Sequence, residues 1–79
     1  MKTNFFDILQ VSKSWANDYG FKNCRTYQSE NFYHVNTGGV ELDFNSLLDL
    51  ADDLAEYETS VHSVSFDTES GCLVINIYK

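Results

Sequence analysis

The stretch NSLLDLADDLAEYE (Asn45–Glu58), followed by VHSVSFD (Val61–Asp67) and CLVINIY (Cys72–Tyr78), decides the fold. In the first segment Leu47, Leu50, Ala51, Leu54 and Tyr57 recur at three- and four-residue spacing, the period of a helix that buries one face. In the last segment Leu73, Ile75 and Ile77 alternate along a run rich in β-branched residues, the period of a strand. Thr68–Glu69–Ser70–Gly71 supplies the turn that joins the last two segments into a hairpin. The spacing predicts a helix from Ser46 to Glu58, capped by Asn45, and then a closing β-hairpin.

Working outward, Val40–Glu41–Leu42–Asp43–Phe44 alternates strictly and reads as a strand with its three apolar side chains on the core face. Two further strands are expected at 24–28 and 32–36, joined by a Ser29–Glu30–Asn31 turn. Gly38–Gly39 would turn the chain into the 40–44 strand, completing a three-stranded meander. Residues 4–19 carry Phe5, Ile8, Leu9, Trp15, Ala16 and Tyr19 at helical spacing, with Asn4 as N-cap, Asp7 in the first turn and Gly20 at the stop. The element order is αβββαββ. The expected fold is α+β, with two helices on one face of an antiparallel sheet of about five strands, and residues 1–79 form one compact domain.

Composition agrees with a folded chain. It is 43% hydrophobic and 15% aromatic, with no proline and four glycines, so large side chains supply buried area and few residues break structure. No apolar run approaches the roughly 20 residues that span a bilayer, and Asn4, Asp7, Gln10 and Ser12 interrupt any leader-like core. A cytoplasmic protein is expected, with Cys24 and Cys72 as reduced thiols.

Charge is strongly segregated. Between Thr26 and Tyr78 lie Glu30, Glu41, Asp43, Asp49, Asp52, Asp53, Glu56, Glu58, Asp67 and Glu69, and no lysine or arginine. Lys2, Lys13, Lys22 and Arg25 precede that stretch, Lys79 follows it, and the net charge is −7. Such a surface repels polyanions and draws basic partners over about a Debye length, roughly 8 Å at physiological salt. On the second helix Asp49, Asp52, Asp53 and Glu56 stand at i, i+3, i+4 and i+7, one continuous stripe opposite the apolar one. Like charges at that spacing destabilise a helix, and no lysine is interleaved to relieve them. A solubilising face explains such a stripe as well as a docking face does. As a docking face, it has carboxylates one turn apart, about 5–6 Å, comparable to phosphate spacing, and it suits a groove lined by lysine and arginine. Glu41 and Asp43 would extend the field from the preceding strand.

Other chemistry lacks its residues. His34 and His62 each lie in an expected strand without convergent partners, and neither Cys24 nor Cys72 sits in a nucleophile motif. Two cysteines and two histidines at 24, 34, 62 and 72 lack the paired spacing of a zinc finger, and the carboxylates of a helix diverge instead of converging on calcium. Gly38–Gly39 is not followed by the lysine and hydroxyl of a phosphate loop. No catalytic residue, metal or cofactor is expected. Direct nucleic-acid binding is disfavoured by the shortage of cations; Lys13, Lys22 and Arg25 form one small positive patch, near the aromatics Trp15, Tyr19 and Tyr27, which are expected in the core.

In size, acidity and αβββαββ make-up the whole chain resembles the small phage-encoded inhibitors of bacterial defence, the anti-CRISPR proteins. The resemblance implies a non-enzymatic, stoichiometric inhibitor that blocks the nucleic-acid-binding or target-recognition surface of a basic nuclease complex in the host cytoplasm. Asp49, Asp52, Asp53 and Glu56 would then stand in for phosphates. Immunity proteins that neutralise basic nucleases follow the same logic. The alternative is a small structural or adaptor subunit, one form of which is a homodimer joined through a strand edge or an aromatic patch such as Phe32 and Tyr33.

Overall fold

The reciprocal cap at Asn4 starts the first helix, α1 (Phe5–Tyr19). The Asn4 side chain accepts from the Asp7 N–H at 2.9 Å, and the Asp7 carboxylate accepts from the Asn4 N–H at 3.3 Å, so two orphan donors are satisfied together. Gly20 ends the helix in the left-handed conformation, φ 76°. The computed structural model describes residues 3–79; Met1 and Lys2 lie outside the described residues. After α1 come β1 (Arg25–Gln28), β2 (Phe32–Asn36), α2 (Phe44–Ala55), β3 (Val61–Asp67) and β4 (Cys72–Tyr78). All strand pairs are antiparallel, and the sheet order is β1-β2-β4-β3. β2 and β4 are therefore central, while β1 and β3 are edges.

Register explains the core. Tyr33 lies opposite Ile77 and Val35 opposite Ile75, so these four side chains share one face of the sheet. Ile8 and Trp15 of α1 and Leu50 and Leu54 of α2 pack on that face, so both helices cover the same side. The buried Trp15 indole N–H donates to the Ser46 carbonyl at 2.6 Å and ties α1 to the start of α2.

The sheet has four strands, not five: residues 40–43 are irregular, and Phe44 already belongs to α2. Two local interactions outcompete the alternation of Val40, Leu42 and Phe44. Asp43 caps α2, its carboxylate accepting from the Asn45 N–H at 3.4 Å, which commits Phe44 to helix. Upstream, the Thr37 N–H donates to Leu73 O and the Leu73 N–H to Gly39 O, so residues 37–39 extend the β2–β4 ladder instead of turning a hairpin. Gly38, φ 75°, passes so close to Asn23 that a Cβ there would lie 2.8 Å from its backbone. Val40 and Phe44, expected in the core, are 67% and 66% exposed.

The ends of α2 also differ from expectation. It starts two residues earlier, with Asp43 and not Asn45 as cap, and ends at Ala55 with Glu56 as C-cap, still in the right-handed conformation, before Glu58 turns left-handed, φ 59°. Leu50 and Leu54 are fully buried, whereas Leu47, Ala51 and Tyr57 are half-buried.

Candidate functional site

α2 is divided lengthwise into three sectors. At about 100° per residue, Asp52, Glu56, Asp49 and Asp53 fall within one arc of about 100°, and all four are exposed. Ser46, Leu50, Leu54 and Leu47 fill the next arc and face the core. Phe44, Leu48, Ala51 and Ala55 fill the third. Of these, Phe44 and Leu48 are 66% and 48% exposed. α1 flanks the acidic side of α2, where the Tyr19 hydroxyl donates to the Asp49 carboxylate. The apolar third sector therefore faces away from α1, toward the β3 side of the sheet.

Among the described residues, that Tyr19 hydroxyl is the one hydrogen-bond or ion-pair partner of the four carboxylates. The cations are elsewhere. Lys13, Lys22 and Arg25 line a groove between α1 and β1, while Asp53 and Glu56 border a shallow groove with Gln10, Val11 and Ser14 on the other flank of α1. α1 stands between the two groups. Glu41 and Asp43 are exposed beside the start of α2, but not on a strand: Glu41 is in the connecting loop and Asp43 is the helix cap. They lengthen the acidic surface toward the helix N-terminus, and Asp43 has a structural task of its own.

The face of the sheet without helices carries the two histidines. His34 stacks on Tyr27 at 4.9 Å between ring centroids, and Phe32, His62 and Tyr78 cluster beside it. His34 Nδ1 lies 2.8 Å from Asn76 Oδ1 and its Nε2 lies 2.7 Å from Ser29 Oγ, while Asn76 Nδ2 donates to Ser63 and Ser65. Asn76 Oδ1 only accepts, so His34 donates to it from Nδ1, while Nε2 is within hydrogen-bond distance of the Ser29 hydroxyl. Both ring nitrogens are thus engaged in tying β2 to β4 and to the β1–β2 turn. Phe32 and Tyr33 do not form one patch: Phe32 is on this open face, and Tyr33 is 5% exposed in the core on the other. Of the aromatics near the positive patch, Trp15 is buried as expected; Tyr19 and Tyr27 are 40% and 39% exposed, on the acidic flank of α1 and on the open sheet face.

The thiols of Cys24 and Cys72 are free and half-buried. Burial pushes the Cys24 thiol above its ordinary pKa, which disfavours the nucleophilic thiolate. Among the described residues no group of three or more His, Cys, Asp or Glu side chains is placed to hold a metal ion, and no helix is long and apolar enough to cross a membrane.

Periodicity foretold the acidic arc, but not the exposed apolar side chains beside it. Leu48 and Phe44 look like core in a linear pattern, and Val64 and Phe66 of β3, 37% and 56% exposed, do too. Their exposure follows from the position of β3 as an edge that α1, packed over β1 and β2, does not reach. Comparison with protein-family models, curated proteins and solved structures returns no match for this chain.

Proposed function

We propose that this protein is a non-enzymatic binding protein that occupies the nucleic-acid-binding or target-recognition surface of a basic nuclease complex, as small phage-encoded anti-defence inhibitors do. The observation that carries the reading is the arc of Asp49, Asp52, Asp53 and Glu56, exposed on one side of α2 with no lysine or arginine across it among the described residues. Four carboxylates on a rigid helix present a fixed negative field at phosphate-like spacing, and a lysine- and arginine-lined groove gains from it without ordering a flexible chain. Exposed Leu48 lies one turn from Asp52 and adds an apolar contact that a nucleic acid would not offer, so the partner surface is a protein groove and its recognition goes beyond charge.

The test is recovery from a bacterial lysate on immobilised protein at low and at high salt, with elution by duplex DNA or RNA. A nuclease or ribonucleoprotein rich in lysine, held at low salt only and released by nucleic acid, supports the proposal. Recovery that is insensitive to both salt and nucleic acid contradicts it.

A structural or adaptor subunit is a second reading, favoured by one observation: β3 is an open edge with Val64 and Phe66 exposed on the helix side. It has no lysine or proline to discourage edge pairing. Sedimentation at micromolar concentration distinguishes the readings, because a dimer of two copies with net charge −7 strengthens with salt, whereas the acidic docking contact weakens.

A further inference from the structure

Among the described residues the lysines and arginines are Lys13, Lys22, Arg25 and Lys79, and the first three border the same groove. One wall is α1, through Leu9, Lys13 and Ala16; the other is β1 with the segment leading to it. The floor is apolar, with Phe21 and Cys24 between the walls, and no carboxylate lines the groove. In a chain of net charge −7, a groove bordered by these cations and by no acid attracts a negatively charged partner that the acidic arc of α2 repels.

The second feature is the backbone. β1 is an edge whose single ladder is to β2, so its outward N–H and C=O groups face the groove without a strand partner. An extended segment laid along that edge would gain main-chain hydrogen bonds, and its alternate side chains would point down to the apolar floor or out to the rim. β1 is four residues long, about 13 Å at the rise of a strand, enough for a segment of four or five residues.

We infer that the groove between α1 and the free edge of β1 captures an extended acidic segment of a partner protein by strand addition. Apolar side chains of the segment meet Leu9, Ala16 and Phe21, and its carboxylates meet Lys13 and Lys22, with Arg25 at the far rim, where β1 turns it toward the open sheet face and a second groove shared with Asp67 and Glu69. The surface has the opposite sign to the α2 arc and lies on the other flank of α1, so this inference and the inhibitor reading stand or fall separately.

The probe is a fluorescein-labelled nine-residue peptide alternating glutamate with valine and leucine, followed by anisotropy and by backbone amide shifts of the full chain. Binding is expected at low salt, with shifts confined to β1 and the groove side of α1. It should weaken about ten-fold or more when alternate backbone nitrogens of the peptide are methylated, which removes strand hydrogen bonds but keeps the charge. A similar loss is expected in the Lys13→Gln, Lys22→Gln, Arg25→Gln triple variant, whose three sites are exposed and whose melting temperature serves as the folding control. Replacing each glutamate of the peptide by lysine should abolish binding. The inference is overturned by an acidic peptide that does not bind at about 1 mM, by equal binding of the methylated peptide, or by equal binding to the triple variant. It is equally overturned if a small amphipathic anion, anilinonaphthalenesulfonate, fills the groove and the peptide does not.

Discussion

Replacing Asp52 and Asp53 of α2 by lysine should make the protein more stable while it destroys the proposed docking surface. The four carboxylates of the arc form like-charge neighbours at 49/52, 49/53, 52/56 and 53/56, each three or four residues apart on the helix. An exposed pair of this kind costs a few tenths of a kcal/mol, and an opposite pair gains a similar amount. The double substitution turns all four repulsions into attractions, and lysine also has a better helix propensity than aspartate. The sum is about 1–2 kcal/mol of added stability, which in a domain of this size raises Tm by roughly 5–10 °C. Asp49 keeps its hydrogen bond from Tyr19, so no tertiary contact is sacrificed. Differential scanning calorimetry at low ionic strength, repeated at about 1 M salt where the Debye length falls to about 3 Å, measures the effect and its electrostatic part. A variant that melts at or below the parent temperature at low salt, or a gain that survives high salt unchanged, would refute the reasoning: the carboxylates would already be compensated.

Four other outcomes follow from the structure. Trp15→Phe should cost about 2–3 kcal/mol in chemical denaturation, because it leaves a void and strips the Ser46 carbonyl of its 2.6 Å donor. Gly38→Ala should cost clearly more than Gly71→Ala: both have positive φ, about 1 kcal/mol for alanine, but only at position 38 would the new methyl meet backbone 2.8 Å away. The Asp67 carboxyl, held below its ordinary pKa by the Ser70 hydroxyl and then by the Glu69 N–H, stabilises the β3–β4 turn above the unfolded carboxyl pKa. That contribution should disappear as pH falls from about 4 through the lower folded value, and it should be missing in Asp67→Asn at every pH. Cys24, its thiol pushed up by burial, should react with iodoacetamide at pH 7 more slowly than a free model thiol, and the difference should vanish in denaturant.

The elements that could be read from the sequence were those fixed by local chemistry. Asn4, Asp7 and Gly20 marked both ends of α1, and the Gly71 turn and the alternation of Leu73, Ile75 and Ile77 marked the last hairpin. The 40–44 segment misled because two local signals competed there. Alternation pointed to a strand, while Asp43 had the side chain and position of a helix cap, and the cap prevailed once Gly39 paired with Leu73. The order β1-β2-β4-β3 is set by contacts between residues far apart in sequence and left no local trace. The same division holds for the sites. Helical spacing put Asp49, Asp52, Asp53 and Glu56 together, and they remain together. Nothing in the spacing distinguished Leu48 and Phe44, which are exposed, from Leu50 and Leu54, which are buried, because that depends on which strand each flank of α2 overlies. Lys13, Lys22 and Arg25 were recognisable as a patch. The apolar floor beneath them and the free strand edge beside them emerge only from the packing of α1 on β1.

The central claim is that the carboxylate arc of α2 is a docking surface for a cationic protein. It is tested most directly by measuring the affinity of the parent and the Asp52→Lys, Asp53→Lys variant for one nuclease complex recovered at low salt, across a salt series. The parent should bind with a log affinity that falls steeply and linearly with log salt, and the variant, though folded and more heat-resistant, should bind at least about a hundred-fold more weakly at low salt, roughly 3 kcal/mol. Equal affinity and equal salt dependence of the two proteins would contradict the claim.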